Sequence, residues 1–317
     1  MPRIKLILNP ASDRGRTAKI GETLQALLHE QAEIEHQRGV HYELNWELTE
    51  RAGQAVDIAQ QAALDGFDII TAVGGDGTVH EIVNGLMRID EKKRPRLGVL
   101  PAGSGNDFAH NIQLPDKVED CVQCLFSNTS RVIDVGLYKD DKGRQEYWDN
   151  TVGLGFSGAV NMAARKITWI YGFPVYLLAV LETIITTHKR IGVEVTLDGQ
   201  PIPSRKVTMI ALCNGPREGG GFPVAPHALL DDGYLTYMFM RDTNRAEMLY
   251  FLPVVMASNH LGYKRFFEEG NTRRITVKAD HTLAIHADGE VLGTWEMDVR
   301  EVEVSIVPSA IRVMCNA

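Results

Sequence analysis

Two glycine-rich loops, each directly after a short apolar strand, contain the residue types in this chain that could do chemistry. The first reads Gly-Gly-Asp-Gly-Thr over residues 74–78, and the second reads Pro-Ala-Gly-Ser-Gly-Asn-Asp-Phe over residues 101–108. Glycine lets backbone N–H groups approach a phosphate closely and point at it. A helix that begins just past such a loop adds the positive end of its dipole. The pair predicts a polyphosphate held from two sides, and therefore a nucleotide-dependent phosphotransferase.

The first hundred residues must position these loops, and they alternate between strand and helix. Strands separated by single helices indicate a parallel sheet with right-handed crossovers. Ligands of such sheets bind at the carboxyl ends of the strands, which is where both loops fall. The hydrophobic spacing predicts strands at residues 4–9, 41–48, 68–73 and 97–100, and helices at residues 18–37, 51–64 (with Thr49 as N-cap) and 79–89.

The pattern changes near residue 131, after which strands dominate. This half is typical of a β-sandwich or a barrel. Hairpin turns are predicted at residues 140–143 and 198–199. The strands are predicted at residues 131–139, 145–152, 191–197, 206–213, 235–240, 274–279, 283–287, 290–295 and 302–307, with helices at 174–187 and 246–258. We therefore expect an α/β domain over residues 1–130 and a mainly β domain over residues 131–307.

Length and charge narrow the function classes. A chain of 317 residues is long enough for two domains. A formal net charge of −8 argues against a nucleic-acid binder, which would show a basic footprint. The longest apolar run, residues 170–181, is well short of the roughly 20 residues that a membrane span needs. With no secretion signal visible, the sequence predicts a cytoplasmic protein that acts without nucleic acid.

Three further patterns suggest other sites, and each has a simpler interpretation. Residues 153–158 read Gly-x-Gly-x-x-Gly, but no acidic residue follows at the distance that a dinucleotide fold requires. Cys121 and Cys124 form a C-x-x-C without a thioredoxin-like context or a second such pair for zinc. The aromatic and aliphatic stretch at residues 169–181 is either a buried helix or a surface that shelters lipid tails.

The ordered motifs of the whole chain resemble the diacylglycerol kinase catalytic-domain superfamily, in particular its soluble bacterial lipid kinases. Each motif alone is modest, but the set in this order is highly specific. The matching elements are Asn-Pro-Ala-Ser at residues 9–12, the two glycine loops, Cys-Asn-Gly at 213–215 with Gly-Gly-Gly at 219–221, Ala-Pro at 225–226 with Asp-Gly-Tyr-Leu at 232–235, and Ala-Asp-Gly-Glu at 287–290.

The resemblance implies an N-terminal domain related to NAD kinases and phosphofructokinases, followed by a β-sandwich domain. It also implies that the last strand, within residues 308–317, returns to the first domain. One position departs from the pattern, because Asp13 stands where the family usually has glycine and Gly15 comes later. The path of the backbone at this loop is therefore open at this point.

Three acids are implied as catalytic residues. Asp288 would be the general base, Asp76 a metal or water ligand, and Glu290 part of a carboxylate–water–metal network, with exchange of the roles of Asp76 and Asp288 left open. Without the resemblance, Asp288 and Gly289 read most simply as a hairpin turn. For Asp76, an Asx-turn is the lesser alternative.

The resemblance also implies the residues that hold ATP and Mg²⁺. Thr78 could instead cap the helix that follows it. Asp232, with the carbonyl groups of Leu229 and Tyr234, resembles a structural Mg²⁺ site, and its simpler interpretation is an Asp-Gly turn. The implied nucleotide-binding residues are Asn9, Ser12, Gly74, Gly75, Gly77, Thr78, Gly103, Ser104, Asn106 and Asp107.

The hypothesis that follows is an ATP- and Mg²⁺-dependent lipid kinase that transfers the γ-phosphate to the hydroxyl of diacylglycerol, a sphingoid base or another amphiphilic alcohol. An NAD kinase-type phosphotransferase and a non-catalytic nucleotide sensor are the alternatives. The expected partner is a lipid substrate at the membrane surface. Edge-to-edge pairing of residues 131–139 would allow a homodimer.

Overall fold

The computed structural model describes residues 1–170 and 172–315, and these fall into two compact units. Unit 1 contains Met1–Ile133 together with the described residues from Ser309 onward, and unit 2 contains Asp134–Pro308. Two long strands, Ser130–Asp140 and Glu301–Met314, contribute residues to both units.

Unit 1 alternates strands and helices along the chain. Its elements are β1 (Arg3–Leu8), α1 (Arg16–Gln37), β2 (Glu43–Leu48), α2 (Gln54–Leu64), β3 (Ile69–Gly74), α3 (Asp76–Leu86), β4 (Arg96–Pro101), α4 (Asp107–Asn111) and α5 (Val118–Phe126), with short 3-10 turns at Ser12–Gly15 and Glu91–Lys93.

The sheet of unit 1 is parallel, in the order β2-β1-β3-β4. All six residues of β3 are buried, as expected for a central strand that helices cover on both faces. The prediction that Thr49 caps α2 is wrong. The N-cap is Gly53, in a left-handed conformation, and the helix begins at Gln54. Two N–H groups at the start of α2 are bonded to the Glu81 carboxylate, at 2.8 Å from Gly53 and 3.0 Å from Ala55.

Unit 2 is built mainly from antiparallel strands. Its elements are β5 (Ser130–Asp140), β6 (Gln145–Trp148), β7 (Thr151–Gly155), α6 (Phe156–Ala164), α7 (Phe173–Thr186), β8 (Ile191–Leu197), β9 (Gln200–Cys213), β10 (Leu235–Arg241), α8 (Arg245–Met256), a 3-10 turn at His260–Gly262, β11 (Phe267–Thr272), β12 (Arg274–Ala279), β13 (Ile285–Ala287), β14 (Glu290–Gly293) and β15 (Glu301–Met314).

The strands of unit 2 enclose two apolar clusters. Their main order is β14-β13-β7-β9-β8-β12-β15, with β10 joining β9 to β11. One cluster contains Tyr138 and Trp148, which are both fully buried. The other packs α6, α7 and α8 against the sheet through residues such as Ala179 and Phe251. Each cluster supplies the burial that holds this half together.

The last long strand also pairs in unit 1. Val313 of β15 is in parallel register with Leu97 of β4. The guanidinium of Arg94 donates to the carbonyl of Ala310, which lies 216 residues later in the chain. The final two residues of the segment predicted to return, 316–317, lie outside the described residues.

The strands of the second half differ from the predictions in three respects. The strand expected at residues 145–152 is divided into β6 and β7, with Asp149 and Asn150 between them. Strand β11 was not predicted, because Glu268, Glu269 and Gly270 break its apolar pattern. Strand β5 pairs with β15 and with β6, so residues 131–139 do not form the free edge on which the homodimer prediction depended.

Neither a membrane-spanning helix nor a disulfide between Cys121 and Cys124 is found among the described residues. Among the described residues, no helix combines the length and apolar character that crossing a bilayer would take. Cys121 and Cys124 are free, buried thiols on α5. Burial, with the nearby Cys124 thiol, raises the pKa of Cys121 to about 12, so this thiol is not reactive at neutral pH.

Close packing at Gly136 gives a test of the β5–β6 pair. An ideal Cβ at Gly136 would lie 1.9 Å from Cε2 of Trp148, the residue paired with it in β6. We expect Gly136→Ala to lower the free energy of unfolding by about 3 kcal/mol, the upper end of the usual cost of overpacking a core. Urea unfolding followed by tryptophan fluorescence measures this.

Gly262→Ala is the matched control, because no heavy atom lies within 4 Å of an ideal Cβ there. A Gly136→Ala protein with the same unfolding midpoint as wild type would contradict the packing of Trp148 over this glycine.

Candidate functional site

The first glycine loop leads directly into the N-terminus of α3. Gly75 is the N-cap, and no side chain caps the helix there. Gly74 cannot carry a side chain, because an ideal Cβ would lie 2.3 Å from Oγ1 of Thr78. Asp76 is the first helical residue, where a negative charge is favourable. The loop therefore presents a helix N-terminus at the carboxyl end of β3, a geometry that suits an anion.

The second glycine loop touches the first backbone to backbone. An ideal Cβ on Gly103 would lie 2.3 Å from Cα of Gly75. Oδ1 of Asp76 accepts a hydrogen bond of 3.0 Å from the N–H of Phe108, near the start of α4. The N–H of Ala102 donates to the Gly74 carbonyl at 2.8 Å. The two loops are thus one joined surface of unit 1.

The loop after β1 completes this group. Oγ of Ser12 accepts the Gly75 N–H at 3.0 Å, and Nδ2 of Asn9 donates to Oγ1 of Thr78 at 3.2 Å. The Ser104 hydroxyl donates to Asp13 at 2.5 Å. The loops after three neighbouring strands, β1, β3 and β4, therefore meet. The ten residues predicted to bind the nucleotide lie on these loops or in the first turns of the helices that follow them.

Several of these predicted residues already have structural partners. Thr78 is the third residue of α3 and is almost fully buried, so the prediction that it caps the helix is wrong. Asn106 uses its side chain locally, since Oδ1 accepts the Gly103 N–H at 3.0 Å. Asp107 is buried at the first position of α4. These side chains shape the loops, and phosphate contact by them stays a prediction.

Asp13, which stands where the family usually has glycine, has a strained backbone conformation. Asp13, Arg14 and Gly15 have φ of 46°, 55° and 87°, in the left-handed region that favours glycine. Asp13 occupies this conformation while accepting the Ser104 hydroxyl, so a bond to the second glycine loop offsets part of the strain.

Asp288 lies at the tip of the β13–β14 hairpin in unit 2. Asp288 and Gly289 have φ of 48° and 85°, which is the two-residue turn that the Asp-Gly pair predicted. Its carboxylate accepts three backbone N–H groups at 2.9 Å, from Asp149, Asn150 and Thr151. This explains why the strand predicted at residues 145–152 is divided, because those N–H groups turn toward the carboxylate.

Asp149 is a candidate that the sequence interpretation missed. It is fully buried, and a carboxylate oxygen of Asp149 lies within 4.8 Å of one of Asp288. Two buried carboxylates this close repel each other unless a positive charge or a shared proton compensates. The available signal was a charged residue in the middle of an otherwise strand-like stretch.

The other predicted acids have partners on the surface of unit 2. Glu290 forms an ion pair of 2.5 Å with Arg165, and both side chains are about half exposed. Oδ1 of Asp232 accepts the Tyr234 N–H at 3.0 Å, which is the simple turn interpretation. The neighbouring Gly233 N–H donates to Asp134 at 2.7 Å. A metal ion bound by Asp232 and the carbonyls of Leu229 and Tyr234 stays a prediction.

A polar cluster centred on Ser157 lies beside the hairpin. The Ser157 hydroxyl is 2.8 Å from both Oε1 of Glu218 and Nε2 of His286. Burial alone would raise the pKa of Glu218, but hydrogen bonds with His286, Ser157 and Thr151 lower it below its usual value. Glu218 is therefore a buried carboxylate at neutral pH.

The Gly-x-Gly-x-x-Gly pattern at residues 153–158 serves packing. An ideal Cβ on Gly153 would lie 2.3 Å from Nε2 of His286, and one on Gly158 would lie 2.3 Å from the Ala284 backbone. Strand β7 pairs antiparallel with β9 and β13, so no parallel dinucleotide-binding unit exists here.

Comparison with known proteins places the chain in a family. Residues 3–138 match the diacylglycerol kinase catalytic domain, and residues 150–315 match the YegS C-terminal NAD kinase beta sandwich-like domain. A diacylglycerol kinase of Bacillus subtilis (strain 168) is 30% identical over 297 residues, covering 92% of this chain and 91% of that protein. A probable lipid kinase YegS-like of Chromohalobacter salexigens is 30% identical over 288 residues, or 90% and 86%.

The chain therefore belongs to the family of diacylglycerol kinases and YegS-like lipid kinases. This confirms the resemblance found in the motifs and the enzyme class, a kinase.

Solved structures support the fold class. A diacylglycerol kinase of Bacillus anthracis str. Sterne aligns with a TM-score of 0.70 at 19% identity, over 99% of this chain and 97% of that one. An NAD kinase of Archaeoglobus fulgidus, in complex with ATP, aligns with a TM-score of 0.53 at 13% identity, over 99% and 94%. The predicted combination of an NAD kinase-like α/β domain and a β-sandwich domain is confirmed.

Contact between the two glycine loops predicts the effect of adding one methyl group. We expect Gly103→Ala to weaken ATP binding at least about tenfold, because its Cβ would push the loops apart, and tenfold corresponds to about 1.4 kcal/mol. Titration with a fluorescent ATP analogue measures this, with Gly262→Ala as the control. An unchanged dissociation constant for Gly103→Ala would separate this loop from nucleotide binding.

Proposed function

We propose that this protein is an ATP- and Mg²⁺-dependent lipid kinase that transfers the γ-phosphate to a hydroxyl of diacylglycerol or a related lipid. The observation that carries the proposal is the meeting of three loops at the carboxyl ends of β1, β3 and β4. There, glycine contacts and the N-terminus of α3 offer backbone donors. The predicted domain assignment follows, with the nucleotide in residues 1–130 and the lipid in residues 131–307.

The loops of unit 1 suit a triphosphate. Gly75 and Gly103 allow close approach, and α3 begins immediately behind them. Mg²⁺ bound to ATP would neutralise charge on the phosphates, and carboxylate oxygen is its preferred protein ligand. Asp76 is the carboxylate that this loop supplies, and the N–H of Phe108 fixes its orientation.

The acids of unit 2 suit proton transfer. In the proposed reaction the acceptor hydroxyl gives its proton to a carboxylate as the hydroxyl oxygen attacks the γ-phosphorus of ATP. The bond between the γ-phosphorus and the β,γ-bridging oxygen breaks, and ADP leaves. Asp288 is our candidate for this base, because three backbone N–H groups hold its carboxylate in one orientation. Asp76 is the alternative base, and Glu290 would belong to the surrounding network with Mg²⁺. Asp232 with the carbonyls of Leu229 and Tyr234 would hold a structural Mg²⁺.

An NAD kinase activity is the second candidate, because an NAD kinase that was solved with ATP shares this fold. Transfer of radiolabelled phosphate from ATP to a panel containing diacylglycerol, a sphingoid base and NAD⁺ distinguishes the two. Labelling of a lipid alone supports the lipid kinase, and labelling of NAD⁺ alone overturns it. Binding of ATP without transfer to any acceptor would support the nucleotide sensor.

Asp76 and Asp288 can be tested separately. We expect Asp76→Asn to lower kcat by about 10²–10⁴, the usual size of a lost acid–base or charged group, with little change in stability. The asparagine Oδ1 can still accept the Phe108 N–H that binds Asp76. Radiolabelled transfer and a thermal unfolding scan on the same preparation measure the two effects.

Asp288→Asn should lower both kcat and the unfolding temperature. An asparagine NH₂ must face an N–H donor in place of one of the carboxylate oxygens that Asp149, Asn150 and Thr151 now use. Full activity of either variant would remove that residue from the reaction.

Contact with the membrane surface is proposed for the exposed apolar residues near α7. Trp169, before α7, and Ile185, near its end, are 72% and 65% exposed. Exposed aromatic and aliphatic groups of this kind enter the interface of a bilayer. Tyr176 of the same stretch packs against the core and is not a candidate.

A double variant tests this contact. We expect Trp169→Glu with Ile185→Glu to reduce co-sedimentation with phosphatidylglycerol vesicles at least about fivefold, because two apolar groups become charged. Leu64→Glu is the control, since Leu64 is 67% exposed on α2 of unit 1. Equal binding by wild type and the double variant would contradict the proposed contact.

A further inference from the structure

Glu218 is a buried charge that the proposed chemistry leaves unexplained. Its side chain is only 12% exposed, and His286 and Ser157, its polar neighbours, are both more than nine-tenths buried. Burying a carboxylate costs desolvation free energy that an apolar replacement would avoid. Its presence therefore calls for a role other than stabilising the fold.

The direction of the hydrogen bonds follows from counting protons. The Glu218 carboxylate can only accept, so the single hydroxyl proton of Ser157 goes to Oε1. The Ser157 oxygen must then accept from His286, which places a proton on Nε2. The negative charge of Glu218 thus fixes the tautomer and the orientation of the imidazole, and Oε2 of Glu218 lies 3.6 Å from Nε2.

Gly153 makes room for this arrangement. It is directly opposite His286 in the β7–β13 pair, and any side chain there would overlap Nε2 of His286 and Oγ of Ser157. The His286 imidazole therefore occupies the room that Gly153 leaves on β7, and Ser157 links it to the Glu218 carboxylate.

Helix α6 continues the contact along the same hairpin. Ser157 and Asn161 of the helix and Arg165, its C-cap, follow at intervals of four residues and so lie on one face. Ser157 contacts His286, and Nδ2 of Asn161 lies 3.7 Å from the position of an ideal Cβ on Gly289. Arg165 donates to the Gly289 carbonyl at 3.2 Å and pairs with Glu290. His286 and Glu290 bracket the turn that carries Asp288.

We infer that Glu218 is a positioning residue that acts through Ser157 and His286, so that the turn bearing Asp288 keeps the orientation required for proton transfer. This inference rests on the proposed lipid kinase function. Glu218 itself need not touch the substrate. Its effect on the reaction passes through strand β13, and its effect on the imidazole is measurable without any substrate.

Glu218→Gln is the decisive change, because it keeps the shape of the side chain and removes its charge. We expect kcat for lipid phosphorylation to fall at least about tenfold, with KM for ATP unchanged, because the nucleotide is assigned to unit 1. Glu218→Asp retains the charge on a shorter side chain and should recover part of kcat.

Glu268→Gln is the matched control. Glu268 on β11 is also a partly buried acid, and although burial opposes ionisation, bonds and charge from Arg241 and Arg205 lower its pKa. Its hydrogen-bond partners belong to neither α6 nor the hairpin. We expect Glu268→Gln to lower the unfolding temperature. We expect its kcat to equal that of wild type when both proteins are assayed well below the unfolding temperature of the variant.

Nitrogen NMR of His286 gives a readout that does not depend on activity. Wild type should show the proton on Nε2 at neutral pH, and Glu218→Gln should change the tautomer populations. If the wild type phosphorylates lipid, an unchanged kcat in Glu218→Gln would overturn the inference. An unchanged imidazole spectrum in Glu218→Gln would also overturn it. A wild type that phosphorylates no acceptor would overturn the proposed function, and with it the effect of Glu218 on catalysis. If its imidazole still carries the proton on Nε2, the hydrogen bonds from His286 to Ser157 and from Ser157 to Glu218 would stand.

Discussion

Close packing against glycines, at positions where no Cβ fits, is the constraint on which both candidate sites depend. In unit 1, Gly75 and Gly103 contact each other, and this contact joins the loops that follow β3 and β4. In unit 2, Gly153 leaves the space in which His286 and Ser157 meet. A methyl group at any of these positions would separate groups that must lie within hydrogen-bond distance. These short distances are therefore possible only because glycine has no Cβ atom.

Around these contacts, each unit uses carboxylates to hold main chain. Glu81 caps α2, Asp76 binds the start of α4, and Asp288 binds three successive N–H groups. A carboxylate bonded in this way is rigid before any ligand arrives, which reduces the reorganisation that a reaction would otherwise require. The same property makes these acids hard to interpret, because structural and catalytic roles coincide in one side chain. Comparing stability with activity in each variant separates the two roles.

Much of the fold was predictable because the spacing of apolar residues along the sequence indicates which side chains are buried. The parallel sheet of unit 1 follows from buried strands such as β3 alternating with amphipathic helices. The ordered motifs were sufficient to predict the family. Features that depend on distant partners were not predictable. The break at Asp149 arises from a carboxylate that follows it by more than a hundred residues, and β11 contains two glutamates whose partners lie on other elements.

The cluster of Ser157, Glu218 and His286 could not be predicted from the sequence for the same reason. Its three members come from separate elements, and nothing local marks Ser157 or Glu218 as neighbours of His286. The glycine pattern at residues 153–158 was visible in the sequence, and its usual association with a dinucleotide was misleading. What those glycines provide is room for a buried polar cluster.

Strand β15 has a consequence for how the polypeptide is made. Unit 1 includes residues from Ser309 onward, and Arg94 donates to the carbonyl of Ala310, which lies 216 residues later in the chain. During synthesis, β4 must leave the ribosome long before the strand that pairs with it exists. Assembly of the first unit therefore cannot finish before β15 has been synthesised, and a nascent chain would expose the flank of β4 until then. Contacts so distant in sequence also slow folding.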